Sequence, residues 1–328
     1  MSAWRSRARH LVARWGELSG RHRRERKRLD GTRVAVLNYH RVLPRAEADR
    51  RFVEPAMFVT PEVFAGHLDW LLASFSVISL EAAVAGLLEE TPLPKGACTI
   101  TFDDGWLDNY ELAFPLLRER ELPATIFLVS DRVGSEGSFW PDEVCMRLGP
   151  LEARDACRLV GSLLERERVA DPTAELLDAL KELTPKQREA ILARLAACTS
   201  TPPRRRELVD WAEVDEMSRG GISFESHSAS HAILPRVSLE DARAELLEAR
   251  RALEARGLGR ARTLAYPSGA HSAQIRELAK SAGYRAGLTM EYGVAEVSGD
   301  PFRLPRIPLH QEISSTRVDF HRFVPGFR

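Results

Sequence analysis

Three short motifs carry residue types that can do hydrolytic chemistry. The first is TFDDG, Thr101–Gly105, directly after an apolar run. Two adjacent carboxylates at the end of a strand can point in different directions, so one can bind a metal ion while the other handles protons. The second is HSASH, His227–His231, after ISFES. Histidines four apart lie on the same side of one helical turn, so both imidazoles can reach one ion. The third is AYPSG, Ala265–Gly269. Its Pro267 and Gly269 shape a sharp turn that can expose a backbone N–H to an oxyanion. Each motif has a plainer reading. Asp-Asp-Gly is also a good turn, a lone histidine pair is usually incidental, and AYPSG alone is an ordinary tight loop. Two histidines and a carboxylate, each from a strand end, are more specific. They form a metal site with open positions for water and substrate.

These motifs need a scaffold that brings distant strand ends together. Strand-like runs occur at Arg33–Tyr39, Ala97–Phe102, Ala124–Val129, Ile222–Glu225, Thr263–Tyr266, Tyr284–Thr289 and Leu304–Pro308. Helical patterns lie between most of them. Thr60-Pro61 opens a helix through Ser74, with Thr as N-cap and Pro at the first helical position. Leu80–Leu88 and Asp108–Glu121 read as helices. Ser238 caps a long helix closed by Gly257, and Ser272 caps another ending near Gly283. Repeated strand–helix units imply a parallel sheet with covering helices, either a barrel or a doubly wound sheet. In such sheets ligands bind beyond the carboxyl ends of the strands, where all three motifs fall.

One stretch breaks the rhythm. Residues 142–206 carry only helical patterns, the last opened by a capping box at Thr184–Gln187 and ended by the Thr-Ser-Thr-Pro-Pro run at Thr199–Pro203. This reads as a helical insertion between two strands. It either covers the active site or recognises substrate, or it is a structural or dimerising lobe.

TFDDG, then H-S-x-x-H, then Y-P-x-G, in that order and on strand ends, resembles the polysaccharide deacetylases (the NodB-homology, or carbohydrate esterase family 4, group), in a Y-P-x-G subgroup. The opening NYHRV, Asn38–Val42, is also similar to a tyrosine–histidine element near the start of many members. The resemblance runs from Arg33 to about His310, apart from the insertion. It implies an α/β fold, a distorted (β/α) barrel of about seven parallel strands, and a divalent metal, usually Zn2+. It implies Asp103 as general base and Asp104, His227 and His231 as metal ligands. A carboxylate beside a metal-activated water can take its proton, and the metal polarises the acetyl carbonyl. The oxyanion would fall to the metal and the Ser268 N–H, with Tyr266 and Pro267 in the same turn as further substrate contacts.

Two departures from the family pattern matter. Many members place an arginine at the first position of the third motif, where it steadies the base. Here that position is Ala265, and Arg306 in LPRIPLH is the candidate to supply the guanidinium from a neighbouring strand end. The family also uses a late histidine, in a Leu-x-His motif, as general acid. His310 is the nearest candidate, although Leu309 immediately precedes it, and His40 is an alternative proton donor or a substrate ligand.

Composition bounds the rest. The chain has 328 residues, 44% hydrophobic and 29% charged, with formal net charge zero, ordinary values for a globular enzyme. No apolar run approaches the roughly 18 residues that span a bilayer. The four cysteines form no C-x-x-C pair, and no apolar segment follows the basic start, so a cytoplasmic location is expected. The charge is uneven, because residues 1–33 hold eleven Lys/Arg and three Asp/Glu. This arm, over residues 1–30, reads either as a solvated tail or as a peripheral anchor to anionic lipid. In the second reading Trp4, Leu11, Val12, Trp15 and Leu18 form an apolar helical face. Nothing else resembles a nucleic-acid-binding module. The expected organisation is the arm, then a deacetylase-like barrel over 31–328 interrupted by the insertion. The expected partner is an N-acetylated glycan, polymeric, lipid-linked or in a related glycoconjugate. Two competing readings are a metal-dependent amidase or esterase acting on another small acylated molecule, and a barrel that binds carbohydrate without turnover.

Overall fold

Seven apolar runs form the strands that the sequence led us to expect. In the computed structural model, which describes residues 29–89, 92–202, 205–260 and 262–324, they are β1 (Arg33–Tyr39), β2 (Ala97–Phe102), β3 (Ala124–Leu128), β4 (Ile222–Ser226), β5 (Thr263–Ala265), β6 (Ala286–Tyr292) and β7 (Leu304–Pro308). All neighbours are parallel, in the order β1–β7–β6–β5–β4–β3–β2, and β2 pairs back onto β1. The sheet is therefore a closed seven-stranded barrel. Closure buries both faces of the strands, which is why all six residues of β2, Thr99 and Thr101 included, are buried. The basic arm's residues 1–28, including the proposed apolar face, lie outside the described residues.

The helices follow from their caps. Thr60 accepts a hydrogen bond from the Val63 N–H and opens α1 (Pro61–Ser74), whose Phe64, Leu68 and Leu71 enter the main core. α2 (Leu80–Glu89) follows. The expected helix after Asp108 begins as a π-turn at Asn109–Ala113 before α3 (Phe114–Glu119). Between β3 and β4 stand α4 (Trp140–Leu148), α5 (Ala153–Leu164), α6 (Pro172–Lys181) and α7 (Pro185–Cys198). These four close around an apolar cluster of their own that includes Val144, Val160, Leu176, Leu180 and Leu195. α8 (Trp211–Arg219) then leads into β4. α9 (Leu239–Glu254) and α10 (Ala273–Ser281) pack over β5. No described helix is long and apolar enough to cross a membrane.

Two details set up the functional site. The pairing of β7 with β6 shifts register between Leu304 and Arg306. Such irregularities re-aim side chains next to active sites, and the Arg306 side chain is wholly buried. The chain leaving the insertion also runs back along the TFDDG turn. Leu107 N–H donates to Glu207 O at 2.8 Å and Val209 N–H to Gly105 O at 3.0 Å.

The long helix α9 depends on its cap. Ser238 Oγ accepts from Asp241 N–H at 3.1 Å. Ser238→Ala is expected to lower unfolding stability by about 1 kcal/mol, read as a lower urea midpoint with unchanged slope. An unchanged midpoint would show that the helix is held by packing alone.

Candidate active site

The TFDDG turn separates its two carboxylates by backbone geometry. Asp103 N–H still donates to Tyr39 O at 3.0 Å, in register with β1. Asp104 and Gly105 then both take φ of +76°, which costs little for glycine but strains a residue with a Cβ. The strained turn sends the two carboxylates to different partners.

Asp104 faces the histidines. Its Oδ1 lies 3.4 Å from Nε2 of both His227 and His231, and its Oδ2 accepts the Trp106 indole N–H at 2.9 Å. The ligand atoms of the three residues lie within 4.8 Å of one another. His227 Nδ1 is 2.8 Å from the Ala265 carbonyl. A carbonyl only accepts, so Nδ1 carries the proton and Nε2 keeps its lone pair for the cleft. Burial pushes the His231 imidazole down to about 4, against the pull of Asp104, so this ring is neutral and able to ligate at pH 7. Burial also disfavours the charged form of His227, but Asp103 and Asp104 outweigh it and raise its pKa. Asp104 is itself held well below the usual carboxylate range, because the two histidines outweigh its burial.

The histidines do not meet as expected. Residues 227–231 form no helical turn. Ser228 and His231 adopt left-handed φ of +64° and +67°, and His231 N–H donates to Ser228 Oγ at 3.1 Å. The loop folds back on itself and brings both rings over Asp104, with centroids 4.9 Å apart. The residue types suffice, while the four-residue spacing works through a bend rather than a helix.

Asp103 meets Arg306. Nη1 and Nη2 of the guanidinium each lie 2.7 Å from a different Asp103 oxygen. Nη1 also reaches Asn38 Oδ1 at 2.7 Å, and Nε donates to Thr289 O at 2.9 Å. Burial works against ionisation of Asp103, but Arg306, with His227 and His40 nearby, holds its pKa below the usual value. The guanidinium missing at Ala265 is thus present from β7. His40 Nε2 stands 3.9 Å from Asp103 Oδ2.

These groups line a cleft of about 330 Å³ at the carboxyl ends of the strands, with Ser268, Gly269 and Met290 on its rim. Ser268 holds φ of +56°. Gly269 has no substitute, since a Cβ there would lie 2.6 Å from Met290 Cβ. Not every candidate reaches the cleft. Tyr266 turns outward, with its hydroxyl donating to Phe302 O at 3.1 Å, and Pro267 is buried beneath the turn. His310 starts a short C-terminal helix outside the cleft lining, with Nδ1 buried and unpartnered. Burial lowers its pKa.

Sequence reasoning missed several lining and supporting groups. Trp106 was within reach of it, two residues after Asp104. Asn38 and Met290 were not, because their roles arise only from barrel closure. Glu54, Phe139, Asp142, Cys145, Leu177 and Lys181 also line the cleft, and no motif marks them. A second cavity, of about 230 Å³, opens near Gly221, Glu225 and Gly259. It lies toward the amino ends of β3 and β4, the face that serves stability in such barrels.

The donor set fits a divalent cation. Two imidazole nitrogens and one carboxylate oxygen converge beside the Asp103–Arg306 pair, and the supporting hydrogen bonds from Trp106 and to Ala265 orient the donors. Trp106→Phe removes one of those supports and is expected to weaken zinc affinity about 10- to 100-fold, measured by chelator competition. Unchanged affinity would mean that the histidines alone position Asp104. Arg306→Met leaves Asp103 buried without its counter-charge and is expected to cost about 3–5 kcal/mol in urea unfolding. A loss below 1 kcal/mol would show that the cleft hydrates Asp103 freely.

Comparison with known proteins bears on this arrangement. The polysaccharide deacetylase family pattern matches residues 90–287. YxkH of Bacillus subtilis is 20% identical over 259 residues, which cover 79% of this chain and 68% of that protein. The poly-beta-1,6-N-acetyl-D-glucosamine N-deacetylase of Staphylococcus epidermidis is 32% identical over 77 residues, 24% of this chain and 27% of that protein. The Streptococcus pyogenes deacetylase PplD in complex with acetate superposes with a TM-score of 0.60 at 17% identity, covering 89% of this chain and 98% of that one. IcaB from Ammonifex degensii gives a TM-score of 0.57 at 18% identity, with the same coverage of 89% and 98%. These two likenesses speak for the barrel fold. With a match over more than half its length, the chain belongs to the polysaccharide deacetylase family.

Proposed function

We propose that this chain is a hydrolase that removes the acetyl group from an N-acetylated sugar in a polysaccharide, lipid-linked glycan or related glycoconjugate. The observation that carries the reading is the Asp103–Arg306 pair standing in the same cleft as the Asp104, His227 and His231 donors. A base and a cation site side by side suit metal-assisted amide hydrolysis by water. The partial relative from Staphylococcus epidermidis, named for deacetylation of an N-acetylglucosamine polymer, supports the substrate class.

Asp104, His227 and His231 would hold the ion, and the two-nitrogen, one-oxygen set suits zinc with a position left for water. A divalent ion there would supply Lewis-acid polarisation of the acetyl carbonyl and acidify the attacking water. Asp103 accepts the proton of that water. Arg306 keeps Asp103 ionised and aimed, since a bidentate pair fixes the plane of the carboxylate. The Ser268 amide, on the cleft rim, is the donor assigned to the developing oxyanion. His40, which lines the cleft beside Asp103, is favoured over His310 to protonate the leaving amine. As the C–N bond breaks, acetate leaves, and the sugar keeps a free amine.

Acetate release from N-acetylated glycans and sugar nucleotides, before and after zinc is stripped and restored, tests this reading. Asp103→Asn is expected to lower kcat about 10²- to 10⁴-fold with zinc still bound, whereas His227→Ala is expected to lose zinc. Near-normal turnover by Asp103→Asn would remove Asp103 from the role of base.

A further inference from the structure

Two of the four cleft carboxylates are committed. Asp103 is held by Arg306, and Asp104 by Trp106 and the imidazoles. Outside the cleft lining, Asp108 accepts from Arg41 Nε at 2.9 Å and from the Val42 N–H at 2.8 Å. Glu207 accepts from Arg41 at 3.1 Å and Arg51 at 3.0 Å, and also pairs with Arg205. Two cleft carboxylates have no such pairing, the exposed Glu54 and Asp142, and Asp142 is the one carried by the insertion. It lines the cleft, is partly exposed, and its carboxylate has no hydrogen bond or ion pair to another residue among the described residues.

Its position is fixed by the site itself. Phe139, three residues earlier, packs on His231 with ring centroids 4.8 Å apart and meets Trp106 edge-on at 5.4 Å. Trp140, the first residue of α4, is covered by Arg188 of α7 at 5.0 Å. The first turn of α4 is therefore clamped between the metal-site residues and the rest of the insertion, and it carries Asp142 to the cleft. Across from it, α6 presents Leu177 and Lys181 one turn apart. Lys181 holds only an exposed contact with Asp178 at 3.3 Å. An acceptor, an ammonium donor and apolar groups lining one cleft match the hydroxyl edge and the C–H face of a sugar ring. A cleft of about 330 Å³ is also within the range of about 300–1,000 Å³ that takes a whole small ligand, more than an acetyl group needs.

We propose that α4 and α6 form a glycan-binding wall, in which Asp142 accepts sugar hydroxyls and Lys181 donates to sugar oxygens of the unit beside the one that reacts. The inference rests on the deacetylase reading above and deepens it. The insertion makes the chain select an oligosaccharide over a small acetylated molecule. Burial, opposed by Arg41 and reinforced by Asp104 and Glu207, pushes the Asp142 carboxyl up to about 7. An unpaired group in that setting gains most from ligand hydroxyls.

The test compares the zinc-loaded full chain with Asp142→Ala and Lys181→Ala on two probes, a β-1,6-linked N-acetylglucosamine pentamer and 4-nitrophenyl acetate. Each variant is expected to lower the ratio of kcat/KM for the pentamer to that for the aryl ester by about fivefold, the scale of one net hydrogen bond. The loss should come through KM, with Asp142→Asn recovering part of it. Ratios within twofold of the parent in both variants overturn the wall. A parent chain that cleaves the aryl ester but no N-acetylated glycan overturns the deacetylase reading instead, and the wall falls with it.

Discussion

A buried guanidinium and a buried carboxylate organise the mouth of this barrel. Arg306 comes from β7 and Asp103 from the end of β2, and β1 lies between them, contributing Asn38 to the same guanidinium. One side chain thus ties three strands together where the sheet closes on itself. Two unit charges in that setting are stable only when each is fully hydrogen-bonded. Arg306 meets the condition with Asp103, Asn38 and Thr289. The pairing fixes the Asp103 carboxylate plane, and Asp104, one residue on, must then turn away through a left-handed backbone.

That turn is buttressed from outside the barrel. The chain returning from the insertion hydrogen-bonds to Gly105 and Leu107, and Glu207 on it pairs with Arg41 and Arg51. The insertion leaves and re-enters the barrel against the residues that aim Asp104. Its helices have their own core, yet both of its ends are anchored at the cleft.

Much of this was legible in the sequence. The seven strands showed as short apolar runs because closure buries both faces of each, and helix starts showed as Thr or Ser caps because those side chains satisfy orphan N–H groups. Arg306 was legible as a charge on a strand that must end beside Asp103. The loop at His227–His231 was not legible as a loop, since four-residue spacing suits a helix equally and only the left-handed Ser228 and His231 decide between them. β6 runs on through Met290 to Tyr292, beyond its expected end at Thr289, because Tyr292 still pairs with Arg306 of β7. The helical wall could not be read at all. Asp142 and Lys181 sit 39 residues apart in a stretch with no motif, and only the packing of four helices places them on one cleft.

Ala265 offers a last consequence. Its methyl group contributes nothing polar, but its carbonyl selects the tautomer of His227. Because β5 serves the site through its backbone, the side chain at this position is free of that task, and the guanidinium that pairs with Asp103 comes from β7 without contacting the imidazole. Orientation of His227 and pairing of Asp103 thus rest on different strands. A change to the Asp103–Arg306 pair therefore leaves the hydrogen bond that orients His227 in place.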